Sequence, residues 1–199
     1  MLTYDLEIAE GMLSGKVIAG VDEAGRGCLC GPVYAAAVVL PSGYLNPELN
    51  DSKKLSPKKR ELLYEDIIQN ATDYCVARAE VDEIESINIL NAAMLAMRRA
   101  LDGLSRPVDV ALIDGNIARG FNVKTQTVVK GDSISPSIAA ASILAKVSRD
   151  RYITELAKKY PMYKLEKHKG YATKEHVELL RQYGPCEIYR MSFLGKICG

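Results

Sequence analysis

No apolar run in this chain approaches the roughly 20 residues needed to cross a bilayer, so no membrane segment is expected. Residues 1–16 carry Asp5, Glu7 and Glu10 and lack a basic start followed by an apolar run, so no signal peptide is expected. Histidine is scarce. Only His168 and His176 occur, and no nucleophile elbow accompanies them, which leaves a Ser-His-Asp hydrolase without support. The phosphate-cradling pattern GxxxxGK[ST] is missing. Gly25-Arg26-Gly27 fails as a dinucleotide fingerprint because the next required glycine falls on Cys30. The five cysteines form an odd set with no regular framework, which suggests reduced thiols in a cytoplasmic protein. Cys28 and Cys30 are too close together for the usual zinc pattern and have no second pair, so both read as small core residues. A net charge of +1 announces no polyanionic partner, and local clusters must carry that argument. Repeats and low-complexity segments are absent.

What is present suits one α/β domain over residues 1–199: 48% of residues are hydrophobic and 26% charged, ordinary for a soluble globular protein. The chain is organised around Lys16–Pro41. Two Val- and Ala-rich runs, Val17–Val21 and Val33–Leu40, are too short for ordinary helices and read as core strands. Between them lie Asp22, Glu23, Gly25-Arg26-Gly27 and Gly31-Pro32, which suggest a tight turn or a backbone that something approaches closely.

Further along, Ser56-Pro57 predicts a helix start, with the helix running to about Asn70. Cys75–Val81 alternates as a strand does. Asp82 and Glu85 resemble a capping box ahead of an apolar stripe of Ile87, Leu90, Met94, Met97 and Leu101. Val108–Ile113 and Val123–Val129 read as strands, ending near Asp114 and leading to Asp132. Ser135-Pro136 opens a helix that is apolar nearly all round and hence buried, reaching about Lys159; within it Asp150 is placed for a surface ion pair with Lys146. Thr173 caps a last helix to Tyr183, ended by Gly184-Pro185. The order, an antiparallel pair followed by helix-linked strands, predicts a mixed sheet covered by helices.

Four acids then share one property. Asp22, Glu23 and Asp114 end apolar strands, and Asp132 follows another and precedes a helix. Ligands of open α/β sheets gather at strand carboxyl ends, so these acids are expected to meet at one edge. A single such acid would be read as solvated or as a helix cap. Four in one place would repel, and a divalent cation removes that penalty. An all-oxygen set suits Mg²⁺ or Mn²⁺ rather than zinc, and carboxylate-held metals support phosphodiester hydrolysis. Because neighbouring strand residues face opposite sides, Asp22 and Glu23 are expected to share a metal only if the chain bends, which Gly20 and Gly25 would permit.

Two basic clusters stand out. Lys158–Lys169 holds five lysines, His168 and one acid, Glu166, with Tyr160, Tyr163 and nearby Tyr171 interleaved; Lys53, Lys54, Lys58, Lys59 and Arg60 form the second. Each reads either as a solvated face or as a phosphate-backbone contact. Tyr171 reads either as a stacking platform or as a half-buried anchor for the tail.

These residues resemble a known family. VDEAGRG at 21–27 with Gly31-Pro32-Val33, DSKKLS at 51–56, LIDGN at 112–116, KGD at 130–132, SIAAASILAKVSRD at 137–150, HKGYATKEH at 168–176 and Arg190-Met191-Ser192-Phe193 are similar, in order and nearly end to end, to bacterial ribonuclease HII. The resemblance implies a ribonuclease H-like fold with a central mixed β-sheet flanked by helices and a C-terminal helical extension from about residue 161. It implies endonucleolytic cleavage of RNA in RNA–DNA hybrids and incision 5′ to a single ribonucleotide in duplex DNA, leaving 5′-phosphate and 3′-hydroxyl ends. It places the family's metal-binding acids on Asp22, Glu23, Asp114 and Asp132, with Mn²⁺ or Mg²⁺ as cofactor. Its ribose- and phosphate-contacting motif falls on Gly25, Arg26 and Gly27, its junction-sensing tyrosine on Tyr171, and Lys53 is a further substrate-binding candidate. Arg26 and the short N-terminus distinguish the chain from the sister family ribonuclease HIII. Cys28 and Cys30 depart from the usual Pro and Ala, and no appended partner-binding peptide is seen, so a monomer is expected. A non-catalytic hybrid-binding module and a metal-dependent phosphohydrolase of small molecules are the rival readings.

Overall fold

The computed structural model describes residues 2–44, 46–50, 52 and 55–195. Its frame is a five-stranded sheet of β1 (Ile18–Ala24), β2 (Val33–Val39), β3 (Asp73–Ala79), β4 (Val110–Asp114) and β5 (Lys124–Val128), in the order β3-β2-β1-β4-β5. β1, β2 and β3 pair antiparallel, whereas β4 runs parallel to β1 and β5 parallel to β4. The sheet is therefore mixed, as the element order predicts.

Both faces of the central strands are covered, which is why their sequences are apolar throughout. Ala19, Val21, Ala35, Ala37, Ala111 and Ile113 face α3 (Val81–Asp102). The alternate residues Ala24, Ala36 and Val38, with Ile18, Val110 and Leu112, face α4 (Pro136–Lys159), which α2 (Pro57–Asn70) flanks. Among the described residues no helix is long and apolar enough to cross a membrane.

The predicted caps of α2 and α4 form: Ser56 and Ser135 accept from the backbone N–H groups of Lys59 and Ile138. The strand read over Cys75–Val81 stops at Ala79, because Glu80 is the N-cap of α3. The capping box joins Glu80 to Glu83, not Asp82 to Glu85. α3 is also broken at Asn88, whose Oδ1 accepts from the Leu90 and Asn91 amides and caps the second half. The C-terminal part consists of α5 (Leu165–His168) and α6 (Lys174–Tyr183), with Thr173 as N-cap and Gly184 at the end.

An N-terminal helix, α1 (Asp5–Ala9), was not expected. It carries Glu7 into the interior, where its carboxylate accepts from Ser135 Oγ at 2.5 Å and Ser137 N at 3.2 Å. That carboxylate sits at the positive end of α4, where negative charge is favoured.

β1 and α4 approach unusually closely at Gly20, where an added Cβ would lie 2.1 Å from the Ser137 carbonyl carbon. Backbone cannot yield there as a flexible side chain would. Gly20→Ala is expected to destabilise the protein by about 3 kcal/mol, the upper end of overpacking costs. That corresponds to a fall in Tm of roughly 6–12 °C, checked by thermal unfolding.

Candidate active site

Pleat parity decides where the strand-end acids go. Asp22 shares a face with Ala24 and Asp114 with Leu112, so both look toward α4. The β1–β4 register, Val21 beside Ile113, makes Asp22 and Asp114 neighbours at the carboxyl ends of two parallel strands. Asp22 is buried, 4% exposed, and lies beside Ser142 of α4, whose Oγ shares a 2.9 Å hydrogen bond with Ser52 Oγ. Burial first, then the charges of Glu23 and Asp114, hold its carboxyl well above the usual carboxylate range.

The expected bend between Asp22 and Glu23 does not occur. The ladder to β2 runs evenly through both residues, Asp22 opposite Ala36 and Glu23 opposite Ala35. Glu23 leaves from the other face, beyond the last β1–β4 pair, and interacts with Asp22 across the open end of the sheet. Asp132 comes in from a single 3₁₀ turn, Gly131–Ser133, after β5 and is buried. The Gly131 amide donates to Asp114 Oδ1 at 2.7 Å, which ties the Asp132 turn to β4. Asp22, Glu23 and Asp114 thus interact at one end of the sheet, and the turn that carries Asp132 is tied to Asp114. Among the described residues no three of the His, Cys, Asp or Glu side chains already form a cation cage. Their oxygens are engaged instead: Asp22 Oδ1 by the Glu23 amide, Glu23 Oε1 by Arg26, and Asp114 Oδ1 by Gly131.

Next to this edge, Glu23, Gly25, Arg26, Gly27, Ser52, Ser142, Lys146 and Tyr171 line a cleft of about 220 Å³. Arg26 is exposed, and its Nη1 lies 3.1 Å from Glu23 Oε1. An exposed pair of this kind is worth little, so the guanidinium is easily drawn to another anion. Gly25 has φ +91°, the left-handed conformation that glycine tolerates. Tyr171 is 40% exposed, with Lys146 Nζ 5.2 Å from its ring centre. It forms a half-exposed wall of the cleft. Lys53 lies outside the described residues.

The Tyr171 segment is held by two buried, stacked histidines with ring centres 4.0 Å apart. The Gly170 amide donates to His168 Nδ1, so His168 Nε2–H donates to Tyr163 O. His176 Nδ1–H donates to the Tyr171 carbonyl, and its Nε2 accepts from Tyr189 OH. In this arrangement each ring has one nitrogen donating and the other accepting.

Several participants escaped the sequence reading. Ser142, Lys146 and Arg149 all lie on α4 and reach Asp22, Tyr171 and the 25–32 turn respectively. Their legible signal was the seven-residue spacing of Ser135, Ser142 and Arg149, which marks one polar stripe on an otherwise apolar helix. The basic clusters, in contrast, are partly neutralised by acids eight to eleven residues away along the chain. Lys59 pairs with Glu48, and Lys164 and Lys167 both pair with Glu175. The Lys146–Asp150 pair exists at 2.8 Å but is largely covered rather than on the surface.

This architecture is similar to that of the ribonuclease H2 from Pyrococcus horikoshii OT3, with a TM-score of 0.73 and 28% identity over 91% of this chain and 96% of that one. The fold is ribonuclease H-like. The Ribonuclease HII family model matches residues 19–196. Similar curated proteins include the ribonuclease HII of Caldicellulosiruptor bescii, 53% identical over 96% of this chain and 94% of the relative. That of Burkholderia thailandensis is 52% identical over 90% and 84%. The chain belongs to the ribonuclease HII family and is an endonuclease of the ribonuclease H type, a hydrolase of RNA in RNA–DNA hybrids.

The histidine pair makes stability depend on pH. Burial pushes His176 down to about 4, and His168 is lowered by the same cause. Below the unfolded histidine value near 6.5, the unfolded chain takes up a proton that the folded chain refuses. The stability is therefore whole above about pH 6.5 and is lost as pH falls toward 4. Between pH 7 and 5 the wild type should lose roughly 2 kcal/mol more than His176→Gln, read from urea unfolding at both pH values.

Proposed function

We propose that this enzyme incises duplex DNA 5′ to a single embedded ribonucleotide, as well as cutting continuous RNA–DNA hybrids, leaving 5′-phosphate and 3′-hydroxyl ends. The observation that carries this reading is the placement of Asp22, Asp114, Glu23 and the Asp132 turn at one sheet edge, against a cleft walled by Arg26 and Tyr171.

The donor set fits Mg²⁺ or Mn²⁺. It consists of carboxylate oxygens, and the one most buried, Asp22, is held unfavourably by its acidic neighbours, a penalty that a hard cation would remove. When bound, such ions activate water and stabilise the leaving oxygen in phosphodiester hydrolysis. Asp22, Glu23, Asp114 and Asp132 would hold them. The Glu23 amide orients the Asp22 carboxylate, with Ser142 beside it, and the Gly131 amide orients that of Asp114. Arg26 and the backbone of Gly25 and Gly27 would bind the phosphate and 2′-hydroxyl of the ribonucleotide, the group that separates RNA from DNA. The Tyr171 ring, backed by Lys146, would rest on the next sugar and favour deoxyribose. The C-terminal part from about residue 161 supplies this tyrosine and is proposed to act with the sheet as one catalytic domain.

The test is a nicking assay on duplex DNA containing one ribonucleotide, with Mg²⁺ and with Mn²⁺. A nick 5′ to that ribonucleotide is expected with at least one metal; its absence with both, alongside active hybrid cleavage, would overturn the single-ribonucleotide reading. Asp114→Asn should lower turnover by roughly 10²–10⁴-fold while hybrid binding persists. Full turnover in that variant would remove Asp114 from the metal site.

A further inference from the structure

The turn that carries Arg26 is shaped from beneath by two arginines. Arg190 donates Nη1 to Arg26 O at 3.0 Å and to Cys28 O at 2.9 Å, and Nε to Gly31 O at 2.9 Å. Arg149 donates Nη2 to Cys30 O at 3.1 Å and Nε to Pro32 O at 3.2 Å. Its Nη1 donates to Lys169 O at 2.9 Å, two residues before Tyr171. The Leu29 amide, donating to Gly170 O at 2.8 Å, closes the same junction. Contact is tight: a Cβ at Gly25 would lie 1.9 Å from Arg149 Nε, and one at Gly170 would lie 3.4 Å from its Nη2.

Both guanidinium groups are fully buried, and each hydrogen bond they make among the described residues ends on a backbone carbonyl. Arg190 Nη2 has no hydrogen-bond partner among the described residues, and the guanidinium lies over the Phe193 ring, 5.4 Å from its centre. Burial, and then the charge of Arg149, push Arg190 down to about 10. Buried charge without a counter-ion is costly, and apolar side chains of similar volume would stabilise a turn better. Such cations suit a place where negative charge arrives with a ligand. The geometry agrees. With the carbonyls drawn inward, the amides of Arg26 and Gly27 donate to no acceptor among the described residues, and both residues are exposed.

Resting on the assignment of ribose reading to Gly25–Gly27, we infer that Arg149 and Arg190 are positioning residues for substrate selection. They turn the carbonyls of residues 26–32 inward so that the Arg26 and Gly27 amides face the incoming phosphate, and Arg149 sets the spacing between that turn and Tyr171. The two ends of a ribose-to-deoxyribose junction are thereby measured against one guanidinium.

The experiment compares wild type, Arg149→Lys, Arg190→Lys and Arg26→Ala. Lysine keeps the charge but cannot span carbonyls that a planar fork reaches together. kcat and KM are measured on single-ribonucleotide duplex DNA and on a uniform RNA–DNA hybrid, with thermal melting to establish folding. Both lysine variants are expected to fold, and kcat/KM should fall at least tenfold more on the single-ribonucleotide duplex than on the hybrid, mainly through KM. Equal losses on the two substrates would overturn the inference, as would failure of both lysine variants to fold, which would assign the pair to stability alone. Arg26→Ala separates this result from the underlying assignment. If it leaves both substrates unaffected, the Arg26 side chain has no part in ribose reading and the lysine variants alone decide the role of the amides; if it impairs cleavage while the lysine variants keep wild-type selectivity, the positioning role fails.

Discussion

Everything at the candidate active site depends on how closely α4 lies against β1. Gly20 has no side chain, and the first turn of α4 occupies the space where one would be. That approach is what places a helix side chain, Ser142, within reach of a strand carboxylate, Asp22. The helix can come so near because its buried face is largely alanine, at Ala139, Ala140, Ala141 and Ala145, packed on Ala24, Ala36 and Val38. At its other side Glu7 and the Ser135 cap fix the N-terminal end. A helix held at both its start and its middle leaves the residues it carries little freedom.

The polar groups of α4 then act in sequence along its length. Ser135 caps it one turn after Asp132, Ser142 meets Asp22, Lys146 lies on the Tyr171 ring and Arg149 holds the turn that follows β1. The acids repel one another at one end of this line, and at the other neither arginine forms an ion pair among the described residues, Glu85 acting on Arg190 only from a distance. Both are arrangements in which protein alone is electrostatically incomplete. Cations would complete the first and the phosphates of a nucleic acid the second, which is the combination that phosphodiester cleavage needs.

Much of this could be read from the chain. The strands announce themselves through Val and Ala runs, α2 and α4 through Ser-Pro pairs, and the end of α6 through Gly184-Pro185. Asp22, Glu23 and Asp114 were legible because they end apolar strands, and Asp132 because it follows a strand and precedes a helix. What could not be read is tertiary. α1 has only five residues, too short to persist alone, and draws its stability from the Glu7 contacts. Asp22 and Glu23 stay on opposite faces of β1, but the β1–β4 pairing stops one residue before them and they interact electrostatically there. The lysine clusters lost part of their meaning to acids such as Glu175 that only folding brings near. The burial of Arg149 and Arg190 was not legible because arginine is rarely buried without an acid partner.

The central claim is that the acid cluster is a strained site relieved by divalent cations. Thermal unfolding of wild type and Asp22→Asn, each with and without Mn²⁺, tests it most directly. A ion that binds only the native state stabilises it by mass action. The account predicts that metal-free Asp22→Asn melts above metal-free wild type, because one repelling charge is gone. It predicts also that added Mn²⁺ raises the Tm of wild type and leaves that of the variant nearly unchanged. An equal Mn²⁺ response in the two proteins, or a metal-free variant that melts below wild type, would contradict it.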